Sequence, residues 1–196
     1  MKKIGELKRL LEVCAEDSSR KEWARSRRIY ENRKFSEGKY MMKNITSNDI
    51  ANGSFIIPDG VTEIRDFAFE DCTSLESVII PEGVKKIGDS AFDGCTGLKK
   101  ITLPKSITEI GAGAFSECIR LENITLPDGV TKIGDYAFYE CTSLESVIIP
   151  AGVNEIGNWV FYGCGSLKKV FLPKKVKLGF SVFDGCHPDL EIEYRG

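Results

Sequence analysis

The chain has 196 residues and a formal net charge of -2, with 42% hydrophobic and 29% charged residues. That composition excludes a disordered chain poor in apolar residues, and the lack of any run of about 18 apolar residues excludes a membrane-spanning helix. The charge is unevenly placed: residues 1–51 hold thirteen Lys and Arg against eight Asp and Glu, and residues 52–196 hold fourteen against twenty-one, so the two parts are read separately.

Residues 1–51 read as a basic helical N-terminal cap or arm. Ile4, Leu7, Leu11 and Cys14 recur at helical spacing and predict an amphipathic α-helix over residues 3–15. Ser19 and Glu22 have the spacing of a capping box, which opens a second helix through Arg33. The start, Met1-Lys2-Lys3, imitates the basic end of a secretion signal, but Glu6, Lys8, Arg9 and Glu12 interrupt the apolar stretch that must follow. As it stands the chain reads as cytoplasmic, or as the mature form of an exported protein.

Residues 52–196 repeat. Pro58, Pro81, Pro104, Pro127, Pro150 and Pro173 are each 23 residues apart, and so are Phe69, Phe92, Phe115, Phe138 and Phe161. Cys72, Cys95, Cys118, Cys141 and Cys164 keep the same step, while Phe183 and Cys186 arrive one residue early. A shared period of this length is the mark of a solenoid of stacked coils, here about six. Val78-Ile79-Ile80, β-branched and stopped by Pro81, predicts one short strand per coil. Pro81-Glu82-Gly83 is a turn. Val84 and Ile87 then point inward, and Ala91, Phe92 and Cys95 follow on a short helical or irregular return segment. No coil buries its apolar side alone, so the coils stack around one core. The helical head is expected to close the open end of that core.

The unit L-x-x-[IV]-x-[IL]-P-x-x-V-x-x-I-G-x-x-A-F-x-x-C, carried over roughly residues 52–194, resembles the BspA-like (treponemal-type) leucine-rich repeat. That resemblance implies a repeat solenoid with one parallel strand per coil. It also implies an adhesive or host-interacting protein without an active site common to the family. Ser106 and Lys175 replace the turn glycine, Val160 and Val182 replace the alanine, and Arg65 replaces the glycine of the first coil.

Catalytic chemistry finds little support. Six of the seven cysteines share one slot per coil and form a column, which suits small buried thiols in a reducing compartment and cannot surround a metal tetrahedrally. His187 is the one histidine and has no partner for a triad or a zinc site. The carboxylates of the coils, among them Asp89, Asp93, Asp135 and Glu140, read as a solvated outer surface. No phosphate-binding glycine motif is present. The expectation is therefore a non-enzyme with no catalytic residue, cofactor or metal.

Function is sought where the coils differ. Strand alternation sends Ile56, Ile79, Ile148 and Phe171 outward as exposed apolar residues, and places Ile192 and Tyr194 in inward slots of the last coil. Tyr136 with Tyr139, and Trp159 with Tyr162, flank the inward Ala-Phe and Val-Phe pairs of coils four and five and are expected to point outward as a patch. Such aromatics have the composition of a protein-binding hot spot. The reading is an interaction or adhesion module for a protein, or for a glycan. Two alternatives stand beside it. One is nucleic-acid binding by Arg20, Lys21, Arg25, Arg27, Arg28, Arg33 and Lys34 among Trp23, Tyr30 and Phe35, against which the acidic body argues. The other is self-association through strand edges or the head.

Overall fold

The computed structural model describes residues 52–195 and, before them, residues 41–42, 45–46 and 49–50. The helices expected over residues 3–15 and 19–33, and the basic cluster they carry, lie outside the described residues.

Each coil except the fourth contributes two short parallel strands, where the sequence predicts one. The shorter strands are β1 (Met41–Met42), β3 (Glu63–Ile64), β5 (Lys86–Ile87), β7 (Glu109–Ile110), β8 (Lys132–Ile133), β10 (Glu155–Ile156) and β12 (Lys177–Leu178), and they form one seven-stranded sheet in that order. The longer strands are β2 (Ser54–Ile56), β4 (Ser77–Ile79), β6 (Lys100–Thr102), β9 (Ser146–Ile148), β11 (Lys169–Pro173) and β13 (Glu191–Arg195). These form two three-stranded sheets, β2-β4-β6 and β9-β11-β13, joined only through Asn123, which bridges Lys100 and Ser146. Asparagine is a poor strand former, and the expected strand of coil four shrinks to that single bridge.

The register pairs each residue with its copy in the next coil, as in Val78 with Ile101 and Ile87 with Ile110. Every inward side chain therefore meets its own kind. Phe69, Phe92, Phe115, Phe138 and Phe161 are fully buried, and successive rings stack with centroids 4.9–5.4 Å apart and planes within 10°. Glycine in the Ile-Gly step is required by close approach: a Cβ on Gly134 would lie 2.6 Å from the Ala112 amide nitrogen of the preceding coil. Val160 and Val182 fill the alanine slot without leaving the core.

The return segment takes the irregular form, and there is no α-helix among the described residues. Its hydrogen bonds alternate between local and inter-coil. Ala68 and Cys72 donate back to Arg65 and Phe69 of their own coil, while Phe67, Phe69 and Asp71 donate forward to the carbonyls of Asp89, Ala91 and Asp93. Turning alternate peptides along the solenoid axis needs a left-handed residue twice per coil. One such slot holds Phe67, Ser90, Gly113, Tyr136, Trp159 and Ser181, with φ from 49° to 60°, and the other holds Asp71, Gly94, Glu117, Glu140, Gly163 and Gly185. A helix cannot accommodate these turns.

At the far end, Ile192 and Tyr194 occupy inward register against Val170 and Leu172 yet are exposed, because no later coil among the described residues packs on them.

Candidate partner-binding surface

The thiol column is part of the framework. Each described cysteine is free, and its S–H donates to a main-chain carbonyl of the preceding coil: Cys95 to Phe69 at 3.0 Å, Cys118 to Phe92 at 3.2 Å and Cys141 to Phe115 at 3.1 Å. Burial pushes the Cys72 and Cys141 thiols up to about 12 and that of half-buried Cys186 up to about 11. Thiols held neutral in this way are poor nucleophiles and poor metal ligands. His187 accepts the Asp189 N–H at 3.1 Å within a terminal turn.

Several carboxylates expected to be mere solvated surface have a structural task. Asp66 accepts the Asp89 N–H at 2.9 Å, Asp89 the Ala112 N–H at 2.8 Å and Asp135 the Asn158 N–H at 2.8 Å. Asn158 continues the ladder to the Phe180 N–H at 2.9 Å. Coil three, with Ala112 in the slot, lacks the acceptor and breaks the ladder, and coil six, with Phe180 there, ends it.

The strand-face candidates do not form one surface. Ile79 is 50% and Ile148 54% exposed, but Thr102 and Thr125 occupy the intervening coils. Phe171, adjacent to Ile148 in register, is half-buried because the Arg195 guanidinium lies 3.3 Å from its ring centroid. Its expected free exposure is corrected by that cation–π cover.

The return-segment aromatics come together. Tyr136 stacks on Trp159 with centroids 5.0 Å apart and planes 12° apart, and Tyr139 stacks on Tyr162 at 5.4 Å and 7°. Tyr136 meets Tyr139 edge-on at 5.7 Å, so the four rings form a two-by-two array. Tyr136 is exposed and the other three are half-buried, mostly by one another. The Glu140 carboxylate accepts a hydrogen bond from the Tyr139 hydroxyl and holds that phenol above its usual pKa. One member of the same column escaped the sequence reading: Phe67, in the slot of Tyr136 and Trp159, is 51% exposed. Aligning its slot with theirs would have found it.

A family model for the BspA-type leucine-rich repeat region matches residues 62–189 in six copies. A leucine-rich repeat protein of Bacteroides ovatus has a similar structure, with a TM-score of 0.67 and 43% identity over 73% of this chain and 37% of that one. The T. pallidum leucine-rich repeat protein gives 0.65 and 35% over 71% of this chain and 78% of that one. A leucine-rich cell surface protein of Faecalibacterium prausnitzii gives 0.58 and 31% over 83% and 37%. The chain thus spans little more than a third of the Bacteroides and Faecalibacterium proteins. No curated protein matches it.

Proposed function

The chain belongs to the BspA-type leucine-rich repeat family, and from that premise we propose that it is a non-catalytic binding platform whose contact with a protein partner is the aromatic array of coils four and five. Leucine-rich repeat proteins generally serve as protein-interaction modules. The observation that carries the assignment is the double stack of Tyr136 on Trp159 and Tyr139 on Tyr162. The fold does not ask for aromatics there, since coil two has Ser90 and Asp93 in the same slots with the same backbone. Rigid, pre-stacked rings lose little side-chain freedom on association, and aromatic anchors of this kind carry most of the energy of protein interfaces. The setting we propose is a cell surface, by analogy with the Faecalibacterium protein.

The test is crosslinking. A photoreactive benzoylphenylalanine in place of Tyr162 should trap the partner, and the same group in place of Glu82, on the Pro81 turn, should not. Trapping only from Glu82 or from the strand positions Ile79 and Ile148 would move the site elsewhere.

A further inference from the structure

Coils two and three interrupt the aromatic column with small residues, Ser90, Gly113 and Ser116. The interruption leaves a groove of about 370 Å³ against the first aromatic rank, lined by Asp89, Asp93, Ser116, Glu117, Tyr136 and Tyr139 among others. Three independent features of this groove point to one kind of occupant.

The first is the wall. Tyr136 is covered on one side by Trp159 but remains 40% exposed, which leaves its coil-three side as an open ring beside the groove. The second is charge. Asp93 and Glu117 have no lysine or arginine paired with them among the described residues, whereas Lys86, Lys99, Lys132 and Lys169 are all spent on other carboxylates. The third is Ser116. It shares the slot of outward-facing Tyr139 and Tyr162, yet it is only 9% exposed because it is short and its neighbours are not. Its hydroxyl has no hydrogen-bond partner among the described residues. A buried hydroxyl left unsatisfied is unfavourable until something brings it a partner.

Resting on the partner-binding reading above, we propose that this groove seats an arginine side chain of the protein partner. A guanidinium is flat enough to lie on the open Tyr136 ring as a cation–π contact. Its fork of five donors serves the Asp93 and Glu117 carboxylates and the Ser116 oxygen together, which a compact ammonium does not match. The groove therefore gives the interface its specificity, and the aromatic array beside it gives the apolar contact area.

The probe is the peptide acetyl-Gly-Gly-Arg-Gly-Gly-amide, with the citrulline peptide as its uncharged isostere, titrated into the full isotope-labelled chain by NMR. The expected result is amide shifts confined to the stretch from Asp89 to Glu117 and to Tyr136, with the citrulline peptide weaker by about tenfold or more. Asp93→Asn with Glu117→Gln should produce a loss of similar size, and Ser116→Ala a smaller one, in chains whose spectra stay dispersed. Equal binding of both peptides, shifts centred elsewhere, or full affinity in the Asp93→Asn, Glu117→Gln chain overturns the proposal. The parent reading is scored separately by the Tyr162 crosslink. A peptide that fails while that crosslink persists removes the arginine seat alone.

Discussion

The ring of Tyr136 lies flat against that of Trp159 at 5.0 Å, although both residues hold the left-handed backbone, with φ of 58° and 53°. That conformation costs a residue with a side chain about 1–2 kcal/mol, and the stacked pair returns about 0.5–1.5 kcal/mol. Both residues bear that cost and share one stack, so the stack does not offset it and retention of aromatics here is not explained by stability. Gly113 fills the same slot in coil three at φ 60° and still donates its N–H to Asp135 at 2.8 Å. Tyr136→Gly should therefore melt within about 4 °C of the native chain. A fall of ten degrees or more in a calorimetric scan would make the array a packing element.

Ala112 is the break in the side-chain ladder that runs through Asp66, Asp89, Asp135 and Asn158. Ala112→Asn places an amide oxygen where it can accept the Asp135 N–H, as Asp89 accepts the N–H of Ala112. Asparagine already works in this slot at position 158, and it adds no charge beside Asp89 and Asp135. A gain of about 0.5–1.5 kcal/mol is expected, read as a higher midpoint in urea with an unchanged slope. No gain, with the fold intact, would mean that water already serves that amide.

The period of 23 makes the core legible: it names the stacked phenylalanines, the thiol column and the outward aromatics from the sequence alone, because register pairs each residue with its copy. Three things were hidden. The strand Lys86–Ile87 is two residues long, too short to show an alternation, so the seven-stranded sheet left no pattern to read. The left-handed turns fall on Ser90, Tyr136 and Trp159, residue types that do not advertise positive φ, so a helical return stayed open as an alternative. The cover on Phe171 comes from Arg195, one coil's worth of chain away on the neighbouring strand and just past the last residue the repeat pattern describes. The outward slots were readable one by one; the groove between Ser90 and Tyr136 appears only when small and large residues are set side by side in space.

The buried thiols make stability fall in alkali. Burial raises the Cys141 thiol to about 12 from 9.0, so the folded chain keeps its proton where the unfolded chain has lost it. The stabilisation is complete below pH 9 and is lost as the pH climbs toward 12. Each such thiol adds a slope of about 1.4 kcal/mol per pH unit inside that window. Cys141→Ala should flatten the dependence of folding free energy between pH 9 and 10 by roughly that amount, measured by urea titration. Equal slopes in the two chains would show that Cys141 does not titrate as a buried group. At neutral pH, thiol reagents should modify half-buried Cys186 first among the repeat cysteines, and fast native labelling of Cys118 would contradict the column.

Trp159→Ser with Tyr162→Asp separates packing from recognition. The replacements are those of coil two, where Ser90 adopts φ 49° and Asp93 follows in the equivalent slot, so the backbone is asked for nothing new. Two ring stacks are lost, worth about 0.5–1.5 kcal/mol each, and the melting temperature should drop by several degrees while the fold survives. Partner affinity should fall further. Truncating a true aromatic anchor costs about 2 kcal/mol or more, roughly thirtyfold in dissociation constant, and two anchors are removed here. Melting and affinity are to be read on the same preparation, because a partly unfolded chain also binds less. A variant that melts as expected and keeps the native affinity places the contact elsewhere. The nearest remaining candidate is then the outward face of Ile148, which lies beside the Arg195-covered Phe171 and is still 54% exposed.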